Sequence, residues 1–237
     1  MGDMIMEKRI SHGELIAEFL GSMFLVMAAV ASMILFTEVF ESPKHVAVLA
    51  NAVAVAFVLC ALIEIFGSIS GAHFNPVITM VMIFERKVGA LKAASFMLCQ
   101  IAGGAAGTVL SHLMFFEVSG GLIFVSEIER GGHIYFGEII GTFILVLAIL
   151  ALVKTKSNRI PIIVGLLVGG QLMSTSSTMF ANPQVTIARM LTNSAAGIRP
   201  FDALIFIIMQ FIGALLAYAV YKIIFLNESS KLSEKKG

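Results

Sequence analysis

Charge is what this sequence lacks most. Only 13% of its 237 residues are Asp, Glu, Lys or Arg, against 58% that are hydrophobic, and a soluble domain of that size needs far more charge to cover its surface. The formal net charge is +1, so no polyanionic partner is implied, and no basic patch with interleaved aromatics marks a nucleic-acid site. Cysteine is nearly absent as well. Cys60 and Cys99 lie in apolar segments without CxxC spacing, which argues against a disulfide framework or a metal site and leaves two small buried helix residues. No nucleophile–base or metal constellation suggests an enzyme, and nothing calls for a cofactor. What remains is the composition of a polytopic membrane protein whose surroundings are the lipid bilayer.

Six stretches, 14–37, 46–66, 90–116, 134–153, 160–177 and 202–225, approach the roughly 20 residues that a membrane helix needs. The first, at about 24 residues, exceeds a signal-peptide core and is expected to remain as a span. With the N-terminus inside, twelve Lys and Arg fall on the cytoplasmic side and four (Lys44, Arg130, Arg189 and Arg199) on the other. That bias predicts cytoplasmic termini. Residues 1–12 form a short N-terminal segment, 13–226 the membrane domain, and 227–237 a polar tail expected to fray.

Two segments do not fit the count of full spans. "AHFNPVITMVMI" begins at Ala72 and "MFANPQVTIARM" at Met179. The helical parts expected after each Asn-Pro, Pro76 to Glu85 and Pro183 to Thr192, are about 10 residues long and rise about 15 Å, half a bilayer. Pro76 and Pro183 suit the first helical position, where a missing N–H costs nothing. The chain also repeats. Glu18 and Gly21 in "AEFLGSMFLVMA" match Glu138 and Gly141 in "GEIIGTFILVLA" at an offset of 120, and Asn75-Pro76 matches Asn182-Pro183 at 107. Each half, about 13–117 and 133–226, holds three spans and one half-helix. An odd number of spans inverts the second half, as in many transport proteins. The expected fold is an all-α membrane protein of six transmembrane helices plus two re-entrant half-helices.

Inversion brings both half-helix N-termini to the midplane, each carrying about +0.5 of charge, a barrier to cations and protons. Asn75 and Asn182 aim side-chain amides at the centre. The preceding loops, "GSISGAHF" and "STSSTMFA", are Gly- and Ser-bearing and tolerate irregular backbone. The carbonyls of Gly71, Ala72 and His73, and of Thr178, Met179 and Phe180, are candidates for a ladder of acceptors along a pore. Glu18 and Glu138 are intramembrane carboxylates, costly unless used. Their matched places favour a scaffold role, accepting N–H groups from these loops, over a proton relay. Gly103 and Gly107 have the spacing of close helix contact within one bundle.

The paired Asn-Pro motifs, the repeated "AEFLG" and "GEIIG" blocks and the six-plus-two topology resemble the aquaporin (major intrinsic protein) family over about residues 10–226. The resemblance implies a homotetramer with one pore per subunit, conducting water or small neutral solutes passively. The usual Asn-Pro-Ala is here Asn-Pro-Val and Asn-Pro-Gln. Val77 and Gln184 are larger than the residue that normally packs between the motifs, and Gln184 either bonds locally or reaches the lumen. The family's selectivity filter falls, by an ungapped count, twenty residues before Asn75, twelve and three before Asn182, and three after it: Val55, Gly170, Met179 and Val185. A two-residue shift in the second helix puts Phe57 in place of Val55. Water-specific members usually carry an aromatic, His and Arg at the first, second and fourth places. Glycerol channels keep the Arg and have Gly at the second.

Val185 in place of Arg implies a wide, apolar filter. A bacterial branch with a similar "NP-VTIAR" signature, associated with arsenic detoxification, points to glycerol-like polyols and neutral metalloid hydroxides such as arsenite, with some water, in a bacterial inner membrane. A water-selective aquaporin is the first alternative, and an ion-coupled secondary transporter the alternative of another class. Arg189, one turn beyond Val185, has two open readings: its side chain leans back toward the filter as a vestibule charge, or it snorkels to the headgroups.

Overall fold

A computed structural model describes the backbone of residues 10–234 and the side chains of residues 10–225. Lys8, Arg9, Lys235 and Lys236, which contribute to the orientation argument, lie outside the described residues. Every regular element among them is helical. α1 (His12–Ile34) is closed at its start by a capping box of Ser11 and Glu14 and widens into a π turn at Leu35–Val39. Then come α2 (Lys44–Ser70), α3 (Pro76–Phe84), α4 (Ala90–Met114), a short α5 (Phe116–Ser119), α6 (Ile134–Lys154), α7 (Ile160–Ser174), α8 (Pro183–Arg189) and α9 (Pro200–Glu234). All five prolines stand at helix starts. Pro76, Pro183 and Pro200 are first residues, Pro161 is second, and Pro43 precedes α2. There a fixed φ is preorganised and the lost N–H has no helical partner to lose.

α1 with its π turn, α2, α4, α6 and the first 26 residues of α9 are long and apolar enough to cross a membrane. The fifth expected span, 160–177, needs correction. It does not reach 177: α7 has 15 residues, about 22 Å at 1.5 Å per residue. Thr175 leaves the helix with ψ 147, its hydroxyl bonded to the Gln171 carbonyl at 2.7 Å, and the chain continues as the loop leading to α8. The polar tail also differs, since its backbone stays helical through Glu234.

Close crossings tie the two halves by the same device. A Cβ built on Gly103 or Gly107 would overlap the carbonyls of Phe19 or Met23 in α1, and one on Gly213 in α9 would meet the Ile139 carbonyl of α6 at 2.5 Å. Gly103 and Gly213 hold matching places in the repeat. Gly165 and Gly169 let α7 approach Ala56 of α2 in the same way. Between helices in lipid the hydrophobic effect gives little, so such backbone contact supplies the packing. The outer faces carry exposed Phe57, Leu98 and Leu166, as a lipid-facing surface should. Glu18, Glu138, Gln100 and Gln210 are instead fully buried, and they lead to the site.

Candidate functional site

The two re-entrant loops meet inside the bundle. Gly71, Ala72 and Phe74 have positive φ in the first, and Thr178, Met179 and Ala181 in the second. Each residue of one trio lies 107 positions from its counterpart. A left-handed conformation costs a non-glycine residue about 1–2 kcal/mol, so something must hold these loops.

The two buried carboxylates do. Glu18 accepts from Ser70 Oγ (2.6 Å), from the backbone N–H of His73 (3.0 Å) and Phe74 (2.8 Å), and from Gln100 Nε2 (2.7 Å). Glu138 accepts from the N–H of Phe180 (2.9 Å) and Ala181 (2.8 Å) and from Gln210 Nε2 (2.6 Å). Hydrogen bonds to a charged partner contribute about 1.5–3 kcal/mol each, enough to offset the strain. The glycines of the repeated blocks serve the same loops. A Cβ on Gly21 would overlap the Phe74 ring, and one on Gly141 would stand 2.9 Å from Met179.

Asn75 and Asn182 cap the half-helices. Each side-chain oxygen accepts from the N–H two residues on, Val77 at 3.0 Å and Gln184 at 3.1 Å. Each amide nitrogen reaches across to the other loop: Asn75 to the Ala181 carbonyl (2.9 Å) and Asn182 to the Phe74 carbonyl (2.8 Å). An amide nitrogen carries two N–H groups, so one on each Asn remains for a molecule between them. Gln184 does not line the cavity. It is fully buried and donates to the Phe74 carbonyl at 3.2 Å, while its Oε1 rests where Gly104 has no side chain.

A cavity of about 350 Å³ follows the seam of the two halves, from Lys87 and Lys92 near the foot of α3 to Arg189 at the far end of α8. Asn75, Asn182, Gly71, Ala72, His73, Met179 and Phe180 line it, and Thr178 does not. Of the four filter candidates, Val55, Met179 and Val185 line it. Phe57 is 69% exposed on the outside, where it shares a shallow groove with Glu64 and Arg159. Gly170 requires correction. It is exposed, a Cβ built on it would meet nothing within 4 Å, and it is absent from the cavity wall, where Val168 and Leu172 stand instead. Two residues on a helix differ by about 200°, so Gly170 and the wall-facing Val168 and Leu172 occupy opposite faces. An ungapped count misses this register.

Several lining residues escape a motif count. Asn51 donates to the Ala29 carbonyl and Ser32 Oγ, both at 2.8 Å. It stands one turn before Val55 on the same face, a lone amide in an apolar run and thus a readable signal. Lys92 pairs with Glu14 at 2.5 Å. His73 bonds Thr79 Oγ1 through Nδ1 at 3.1 Å. At the other end Arg189 is 3% exposed, its Nε donates to the Ala196 carbonyl at 2.5 Å, and its guanidinium lies 3.7 Å from the Phe180 ring centre. Arg130, from the loop before α6, lies 5.0 Å from the same ring and donates to the carbonyls of Ala195 (3.0 Å) and Gly197 (2.7 Å). Burial lowers its pKa to about 10, against a smaller opposing pull from Glu138, so it stays charged at neutral pH.

Inverted halves, crossed loops and a lined path between them define a membrane channel. The chain belongs to the major intrinsic protein family, whose sequence model matches residues 6–180. It is 36% identical over 207 residues to the aquaglyceroporin AqpS of Rhizobium meliloti (strain 1021), covering 87% of this chain and 88% of that protein. It is 26% identical to aquaporin-1 of Ovis aries, over 97% of this chain and 88% of that one. The X-ray structure of the aquaglyceroporin from Plasmodium falciparum superposes with a TM-score of 0.69 at 18% identity, over 89% of this chain and 95% of that chain.

Proposed function

We propose that the protein is a passive channel for small neutral solutes, glycerol-like polyols and neutral metalloid hydroxides such as arsenous acid, with some water. The observation that carries this reading is the wall around the outer half of the cavity. Val55, Leu172, Met179 and Val185 line it, with a valine at the first filter place, where water-specific members carry an aromatic, and another at the fourth, where they carry arginine. An apolar wall accepts the carbon face of a polyol and the amides of Asn75 and Asn182 meet its hydroxyls. The aquaglyceroporin relatives support the same class of solute. Arg189 takes the vestibule role in this reading: it is a cavity residue, one turn outward of the usual arginine. Gly71, Ala72, His73, Met179 and Phe180 supply the backbone path, and Glu18 and Glu138 are its scaffold. The assembly is a homotetramer in a bacterial inner membrane with cytoplasmic termini, in keeping with the positive-inside tally.

Ion coupling is disfavoured because no carboxylate among the described residues lines the cavity and Glu18 and Glu138 are engaged by loop donors. Stopped-flow light scattering on proteoliposomes, with water, glycerol and arsenite in turn and with or without a proton gradient, tests the reading. Solute flux independent of the proton gradient is expected. Water flux without glycerol or arsenite flux would establish the water-selective alternative, and gradient-driven accumulation the coupled one.

A further inference from the structure

Among the described residues, every group on the cavity wall with a formal charge is basic: Lys87, Lys92 and Arg189. Lys92 is paired with Glu14. Among the described residues Arg189 has no carboxylate partner. Its Nε is held by the Ala196 carbonyl, and among the described residues its two terminal nitrogens have no hydrogen-bond partner. A second guanidinium stands close by. Arg130 donates to Ala195 and Gly197, so three consecutive carbonyls hold two arginines over one aromatic ring. The carboxylates nearest in the fold are occupied. Glu138 serves the second loop and Gln210. Asp202 accepts from the Arg130 N–H and the Tyr135 hydroxyl and pairs with Arg199.

Two buried cations with no carboxylate in hydrogen-bond contact, offset only by the more distant charge of Glu138, are costly. Carbonyls and a ring face offset part of that cost, and an anion offsets more. The guanidinium is a planar fork that suits two oxygens of one oxyanion. With Nε tied, the free edge of the Arg189 fork is preoriented.

We infer that the outer end of the cavity is a binding site for small singly charged oxyanions, of carboxylate or nitrate size, seated on the free edge of the Arg189 guanidinium with Arg130 reinforcing the charge behind Phe180. The site stands whether or not polyols pass through the pore. It makes the channel one whose solute traffic competes with an anion entering from the α8 end.

Isothermal titration calorimetry of the detergent-solubilised full chain with sodium nitrate tests it, with sodium gluconate, too bulky to enter, as the matched control. Saturable nitrate binding is expected in the wild type and none with gluconate. Arg189→Gln weakens it by about tenfold or more, the equivalent of one charge-assisted hydrogen bond. Arg189→Lys, which keeps the charge and loses the fork, also weakens it. Lys87→Gln, at the opposite end, leaves binding in place. Absence of saturable binding in the wild type, or unchanged binding in a folded Arg189 variant, overturns the site. Loss of binding in Lys87→Gln with Arg189→Gln intact relocates the anion to the other end and overturns it as well. None of these outcomes depends on glycerol flux, so a failure of the solute reading is seen separately.

Discussion

Gln184 occupies the space that a side chain at Gly104 would need. A Cβ built on Gly104 overlaps Gln184 Oε1 and comes within 3.2 Å of Ala188 Cβ. The enlarged third residue of the second Asn-Pro motif is thus matched by a glycine on α4, and the pair shares one volume.

Gly104→Ala is therefore expected to destabilise the protein by about 1–3 kcal/mol through overpacking. Gln184→Ala added to it restores part of that loss, not all, because the Ala188 contact persists. Thermal unfolding of the detergent-solubilised protein measures the non-additivity. Strictly additive effects would show that the two residues do not share the space.

The filter assignment predicts that Val185→Arg lowers glycerol permeability by about tenfold, the discrimination that one misfitting group produces in an apolar pocket, and lowers water permeability less. Stopped-flow rates per folded subunit give the comparison. Unimpaired glycerol passage would remove Val185 from the constriction.

The register of α7 gives a second test of the same wall. Leu172→Phe narrows the path and reduces solute flux, whereas Gly170→Phe, on the opposite face, leaves flux per folded subunit unchanged. The reverse pattern would restore the ungapped count.

Glu138→Ala leaves two buried backbone N–H groups and one of the two Gln210 amide N–H groups without an acceptor, the other staying on Thr186 Oγ1, at about 1–3 kcal/mol for each group. The expected result is loss of folded protein, read as monodisperse yield in detergent, with Glu18→Ala behaving alike. Normal assembly with an altered pH dependence of flux would instead indicate a proton relay.

At the foot of α3, Glu85 pairs with Lys222 at 2.6 Å. Burial pushes its pKa up, but the hydrogen bond and charge of Lys222, with hydrogen bonds from Tyr218 and Tyr221, outweigh that, and it lies below its ordinary value of 4.5. A carboxylate whose pKa is depressed on folding contributes stability above its unfolded value and loses it as pH falls through the folded one. Lys222→Met should therefore lower the melting temperature at neutral pH and flatten its decline in acid. An unchanged acid profile would show that the pair carries no stability.

Much of this was legible in the residues. The Asn-Pro dipeptides, their common offset and the glutamate–glycine blocks declare the inverted repeat, since each is a local requirement: a cap, a helix start, an acceptor for strained loops, room for a side chain. The path of the loops was less legible. A count from Asn182 misplaces Gly170 because it assumes a fixed loop length, and α7 ends at Ser174. Gln184 could not be placed at all without its neighbour, for Gly104 lies 80 positions away and nothing local links them. Arg130 was visible only as a loop charge, because its partners are carbonyls, and a backbone carbonyl leaves no mark in a sequence.

His73 and Phe180 occupy equivalent places in the two loops, 107 positions apart, yet one is an imidazole bonded to Thr79 and the other a ring beneath two guanidiniums. A backbone that is nearly symmetric therefore encloses a lumen that is not. For a passive pore this cannot bias net flow, since at equal concentrations the fluxes in the two directions must cancel. It does give the two mouths different tastes for molecules that enter and stall, so that the same blocker should act with different potency from the two sides of the membrane.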